Sequence, residues 1–155
     1  MRCYFHGSVI TDNGYEKQKG MVSFAIPDIG VIFRSRWDGN LYECQYASLL
    51  SLLRFIETNS KLFKGKSVEI LSDASVVIYQ LTKKSFIFKS LEPYYRMVQT
   101  YKAKFAFKLN WIPDNENPAN HGLSEIPPIR PSVEINYDIK QTGNDDVPRG
   151  GALPL

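Results

Sequence analysis

A chain of 155 residues, 43% hydrophobic and 23% charged, has the length and composition of one domain with a core of its own. A formal charge of +3 is too small to mark the whole chain as a polycation, and two cysteines, Cys3 and Cys44, are too few for a disulfide framework. No apolar run approaches the roughly 18 residues of a membrane-spanning helix, and the first residues enter a strand pattern without signal-peptide composition. The expectation is an intracellular, cytoplasmic protein.

Residues 1–10, MRCYFHGSVI, are aromatic and β-branched and predict a strand. TDNGYEKQKG follows as a turn with Asn13-Gly14 at its corner. MVSFAI and VIFRSRW predict two more strands joined at Pro27-Asp28-Ile29-Gly30, a short antiparallel meander ending at Asp38-Gly39-Asn40. From 41 to 57 the period changes. Tyr42, Tyr46, Leu49, Leu50, Leu53 and Ile56 recur at three and four, which is a helix with one apolar stripe.

Gly65 breaks the chain before SVEILSD (67–73), a compact strand ending on a carboxylate. ASVVIYQL predicts a short helix. SLEPYYRMVQTYKA (90–103) predicts another, with Ser90 as N-cap and Pro93 in the first turn. KFAFKLNWI (104–112) alternates as a strand, Pro113 stops it, and NPANHGLS forms a last helical turn or two. Three hairpin-linked strands followed by strand–helix alternation predict an α/β fold, a mixed sheet flanked by helices.

From residue 125 the composition shifts to Pro and Gly, so we divide the chain into a domain over 1–124 and a tail over 125–155. Within the tail Val133, Ile135, Tyr137 and Ile139 alternate with polar residues. Residues 132–140 therefore suit an edge strand added to this molecule or to a protein partner. Charge is uneven too. Residues 80–110 carry Lys83, Lys84, Lys89, Arg96, Lys102, Lys104 and Lys108 against Glu92 alone, a segment fit to face a polyanion.

Four stretches, in order, resemble the ribonuclease H family, especially the forms beside retroelement and plant reverse transcriptases. YFHGSV is similar to a strand ending in Phe-Asp-Gly-Ser, and ECQYASLLSLL to an Ala-Glu-Tyr-x-Ala-Leu helix. VEILSDASVVIYQL is similar to Ser-Asp-Ser-x-x-Val-Val-x-Gln-Leu, and WIPDNENPANHGLS to an Asn-x-x-Ala-Asp-x-Leu-Ser ending. The resemblance covers residues 1–124. It implies an RNase H-like, five-stranded mixed sheet, three strands antiparallel and the rest parallel.

The family's chemistry uses four carboxylates around two Mg²⁺. On this chain the resemblance places His6 at the first carboxylate, Asp73 at the third and His121 at the fourth. The second falls on Gln45, or on Glu43 two residues away on another side of the helix. Asp12 is an alternative for the first place and Asn120 for the fourth. A site reading His, Gln, Asp, His implies a degenerate member that binds an RNA/DNA hybrid or duplex RNA and has lost two-metal hydrolysis.

Two other readings remain open. One is a metal-dependent nuclease rebuilt around His6, Asp73 and His121, with Mg, Mn or Zn as cofactor. The other is a scaffold that docks a protein through the tail. For nucleic-acid contact the candidates are Lys83, Lys84, Lys89, Arg96 and Asn117. The structural alternatives are a solvated charged face for the cations and a turn-forming role for Asn117.

Overall fold

The computed structural model describes residues 1–10, 17–83, 88–121 and 133–137. Three strands open the chain, β1 (Arg2–Val9), β2 (Gln18–Ile26) and β3 (Val31–Gly39), paired antiparallel in sequence. The β2–β3 corner is one 3-10 turn closed by Gly30 N–H on the Pro27 carbonyl. Gly30 takes φ 65°, a left-handed conformation that a residue without Cβ adopts freely. Strands β4 (Glu69–Ser72) and β5 (Lys108–Trp111) follow, each parallel to its neighbour. The sheet order is β5-β4-β1-β2-β3-β6. The five expected strands are present, and a sixth, β6 (Val133–Tyr137), lies parallel to Val31–Ser35 at the β3 edge.

Alternation along β1 decides what each face holds. Cys3, Phe5 and Gly7 turn toward α1 (Leu41–Thr58), whereas Tyr4, His6 and Ser8 turn to the opposite face. Helix α1 is buried well beyond its predicted stripe. Ser48 and Ser51 are fully buried beside Leu49, Leu50, Leu52 and Leu53, because sheet, α2 (Ser75–Lys83) and α3 (Glu92–Lys104) surround it. Both hydroxyls bond carbonyls four residues back, so neither of these two donors is stranded. On the opposite face α4 (Pro118–His121) packs Ala119 against Ala25, Ile32 and Tyr4.

The contact between β1 and α1 is tight. A Cβ on Gly7 would come 2.5 Å from the Gln45 nitrogen and 2.6 Å from the Cys44 carbonyl carbon. One on Gly20 would come 2.4 Å from the Cys44 sulfur. Glycine at these points lets the helix sit close on the first two strands.

Two expectations change at the boundaries. Ser90 does not cap α3: Lys89–Leu91 form a 3-10 turn, and Leu91 holds the cap position without a side-chain bond. The strand expected over 104–112 shrinks to β5. Helix α3 runs on to Lys104, and Phe105 and Phe107 pack against each other at 5.6 Å before the ladder begins.

Candidate functional site

Parallel pairing of β1 with β4 sets Phe5 opposite Ser72, so the next residue of each strand, His6 and Asp73, emerges at the same sheet edge. The side chains meet there, His6 Nδ1 lying 2.9 Å from Asp73 Oδ1, each about 15% exposed. Asn117 reaches the same oxygen from the turn before α4, its Nδ2 donating to Asp73 Oδ1 at 2.6 Å and lying 2.8 Å from the Phe5 carbonyl. Asn117 Oδ1 accepts from Ala119 N–H, so the residue that ties β1 to β4 also starts the last helix.

The backbone beneath His6 is held from both sides. Ser23 Oγ on β2 and Ser48 Oγ on α1 both reach the His6 carbonyl, at 3.0 and 2.8 Å. Ser23 Oγ also reaches the Ala119 carbonyl at 2.9 Å. Ser72 Oγ donates to the Phe5 carbonyl at 2.7 Å and accepts from Ala74 N–H at the entry to α2. Sequence reading did not single out these three serines. Their signal was polarity in otherwise apolar runs, as with Ser23 inside MVSFAI.

The N-terminus of α1 is built differently. Asn40 and Glu43 form a reciprocal capping box: Glu43 N–H donates to Asn40 Oδ1 at 2.8 Å, and Asn40 N–H to Glu43 Oε1 at 2.9 Å. Glu43 is thus engaged by its own helix terminus. Gln45 lies where α1 meets β1 at Gly7. It is buried, and its Oε1 has no hydrogen-bond partner among the described residues.

Burial of Asp73 works to raise its pKa, but hydrogen bonds from His6 and Asn117 and the nearby imidazole outweigh it, holding the carboxyl below its ordinary value. Burial pushes the thiols of Cys3 and Cys44 up to about 12, so neither is a ready thiolate.

Among the described residues the donor set does not fit a pair of Mg²⁺ ions, which need several carboxylate oxygens in tight octahedral geometry. Asp73 Oδ1 already accepts from two side chains, Glu43 holds a helix cap, and Gln45 carries no charge. No group of three His, Cys, Asp or Glu side chains comes together as a metal site among the described residues.

The remaining candidates fall as follows. Asn117, expected to contact nucleic acid, is fully buried with both amide atoms engaged and acts as a clamp on Asp73. Lys83 ends α2 and Lys89 lies in the turn before α3, both exposed. Arg96 is exposed on α3 and pairs with Glu92 at 3.3 Å. Asn120 turns back to the Asp114 carbonyl at 3.4 Å. His121 is the last residue of α4, and its side chain lies outside the described residues, as do Asp12 and Lys84.

No protein-family model matches the sequence, and neither does any curated protein. Solved structures do match. RNase H1 from Halobacterium salinarum superposes with TM-score 0.57 at 14% identity, over 72% of this chain and 84% of its own. LC11-RNase H1, isolated from compost by a metagenomic approach and solved in complex with an RNA/DNA hybrid, gives 0.58 at 13%, over 75% and 87%. The N-terminal RNase H domain of a Mycobacterium tuberculosis protein gives 0.55 at 12%, over 75% and 85%. The chain has an RNase H-like α/β fold. At such identities the likeness extends to the fold alone.

Proposed function

We propose that this chain is a nucleic-acid-binding protein on an RNase H-like frame, of the retroelement or plant reverse-transcriptase-like type, that no longer performs two-metal hydrolysis. The observation that carries the reading is the state of Asp73. Asp73, a carboxylate that the resemblance places at a family position, is bound to an imidazole and an amide, where a metal would need its oxygens. The ligand class follows from the fold, one of whose neighbours was solved with an RNA/DNA hybrid, and from the exposed cations Lys83 and Lys89 beside Lys84. The protein would hold an RNA/DNA hybrid or duplex RNA by its phosphates, without sequence preference. Two buried free thiols suit a reducing, cytoplasmic setting. No described helix is long and apolar enough to cross a membrane.

The test is fluorescence anisotropy with a labelled hybrid across a salt series. Binding should weaken steeply with salt, and reversing Lys83, Lys84 and Lys89 to Glu should lower both affinity and salt slope. Affinity unchanged between low and moderate salt would remove the reading.

One observation favours a second reading. A carboxylate on His6 Nδ1 orients the ring and frees Nε2, as behind many metal-bound histidines. With His121 this would give a nuclease using Mn²⁺ or Zn²⁺. Cleavage of the hybrid with Mg²⁺, Mn²⁺ or Zn²⁺, compared between wild type and Asp73→Asn, decides it. Equal traces leave the binding protein standing. Docking of a protein through residues 125–155 is a separate proposal, checked by size exclusion with and without the tail.

A further inference from the structure

We propose that a cleft on the open sheet face, between Lys19 and Arg36, binds the phosphodiester backbone of nucleic acid running away from the His6–Asp73 corner. This rests on the nucleic-acid reading above and adds a surface that the basic segment over 80–110 does not include.

Register and alternation place the cleft. His6, Ser23 and Arg34 form one row across β1, β2 and β3, and Ser8, Met21 and Arg36 form the next row on the same face. The two rows are roughly 7 Å apart along the strands, about the reach of one nucleotide. Helix α4 covers the sheet over Tyr4, Ala25 and Ile32, and reaches the His6 row through the bond from Ser23 Oγ to the Ala119 carbonyl. Beyond that row lies a cleft of about 400 Å³ lined by Ser8, Val9, Ile10, Lys19, Met21 and Arg36. That volume falls within the usual range for small-ligand sites.

The chemistry of the lining suits a nucleotide. Lys19 and Arg36 offer cationic N–H donors and Ser8 a hydroxyl to phosphate oxygens. Ile10, 73% exposed, and Met21, 37% exposed, give an apolar surface for a sugar or base. Arg34 extends the cationic row toward His6, two residues along β3 from Arg36. Asp38 stands opposite Lys19 in register, so among the described residues of these strands Lys19, Arg34 and Arg36 share the face with one carboxylate. A strand of nucleic acid with a phosphate near His6 would meet this row next, and sequence would not be read there because the lining offers phosphate donors and apolar surface.

The test uses the full chain and the labelled RNA/DNA hybrid. Lys19→Ala with Arg36→Ala should lower affinity and flatten the dependence of log K on log salt by about 2, one for each phosphate that the protein no longer neutralises. Lys19→Arg with Arg36→Lys should keep the wild-type slope. Wild-type affinity and slope in the alanine pair, with binding still lost on reversal of Lys83 and Lys89, overturns the cleft and leaves the function above intact. Loss of binding in both pairs alongside a lowered urea midpoint also overturns it, since charge would then not be the cause. A wild-type protein that does not bind the hybrid removes both ideas together.

Discussion

Two corners of the molecule hold carboxylates, Asp73 at one and Glu43 at the other, and they are built in different ways. At the ends of β1 and β4 the carboxylate of Asp73 is held by two side-chain donors, His6 and Asn117. At the start of α1 the carboxylate of Glu43 is tied to the backbone of Asn40, while Gln45 lies buried and neutral beside β1. The first corner is a cross-link between segments far apart in the chain. Asn117 bonds a carbonyl 112 residues away. The second is a local device within four residues. Clustered carboxylates repel one another unless a cation lies between them. Here an imidazole and an amide stand beside Asp73 and hold the carboxylate by hydrogen bonds.

The two corners touch at Gly7, so the largest effect should come from disturbing that junction. In Gly7→Ala the new methyl would meet backbone atoms of Cys44 and Gln45 at 2.5–2.7 Å, and backbone cannot swing aside as a side chain can. We expect a loss of about 3 kcal/mol by urea unfolding, at the upper end of overpacking costs. Wild-type stability in this variant would mean that α1 does not rest on β1 as described.

Next in size is Asp73→Asn. It removes the ionised acceptor shared by His6 and Asn117, at a cost of about 2 kcal/mol near neutral pH. The folded pKa of Asp73 is lowered from 3.8, so its stabilisation is fully present above that value and is lost as pH falls through the lower folded value. Wild type should therefore lose stability on the acid side below pH 3.8, and Asp73→Asn should lack that part of the profile. Superimposable acid profiles would show that the carboxylate is not held as an anion by its neighbours.

Much of this contrast could be read from the chain. The β1 and β4 patterns, the apolar period of α1 and the Asp ending SVEILSD placed His6 and Asp73 at one sheet edge through the family resemblance. Asn40-x-x-Glu43 carries the spacing of a capping box, so the role of Glu43 was present in the sequence as well. The clamp by Asn117 was not, because nothing local says that a turn after β5 returns to β1. The length of β5 was also hidden. KFAFKLNWI alternates like a strand throughout, yet Phe105 and Phe107 pack on the core without entering the ladder. The Lys19–Arg36 cleft needed the register of three strands before its residues became neighbours.

The smallest expected effect is at Gln45, and it sharpens the comparison most. The Gln45 amide should contribute little to the α1 corner, since its buried Oε1 has no partner to lose among the described residues. An apolar side chain of similar length would relieve an unsatisfied acceptor and fill the same space. Gln45→Met should leave the urea midpoint within about 1 kcal/mol of wild type, on the stable side, and should not change hybrid affinity. Gln45→Glu should do the reverse, since it puts a charge where the buried amide oxygen already lacks a partner among the described residues. A methionine variant that loses more than about 2 kcal/mol would give the amide a bonding role equal to that of Asp73, and the two corners would then be alike in kind.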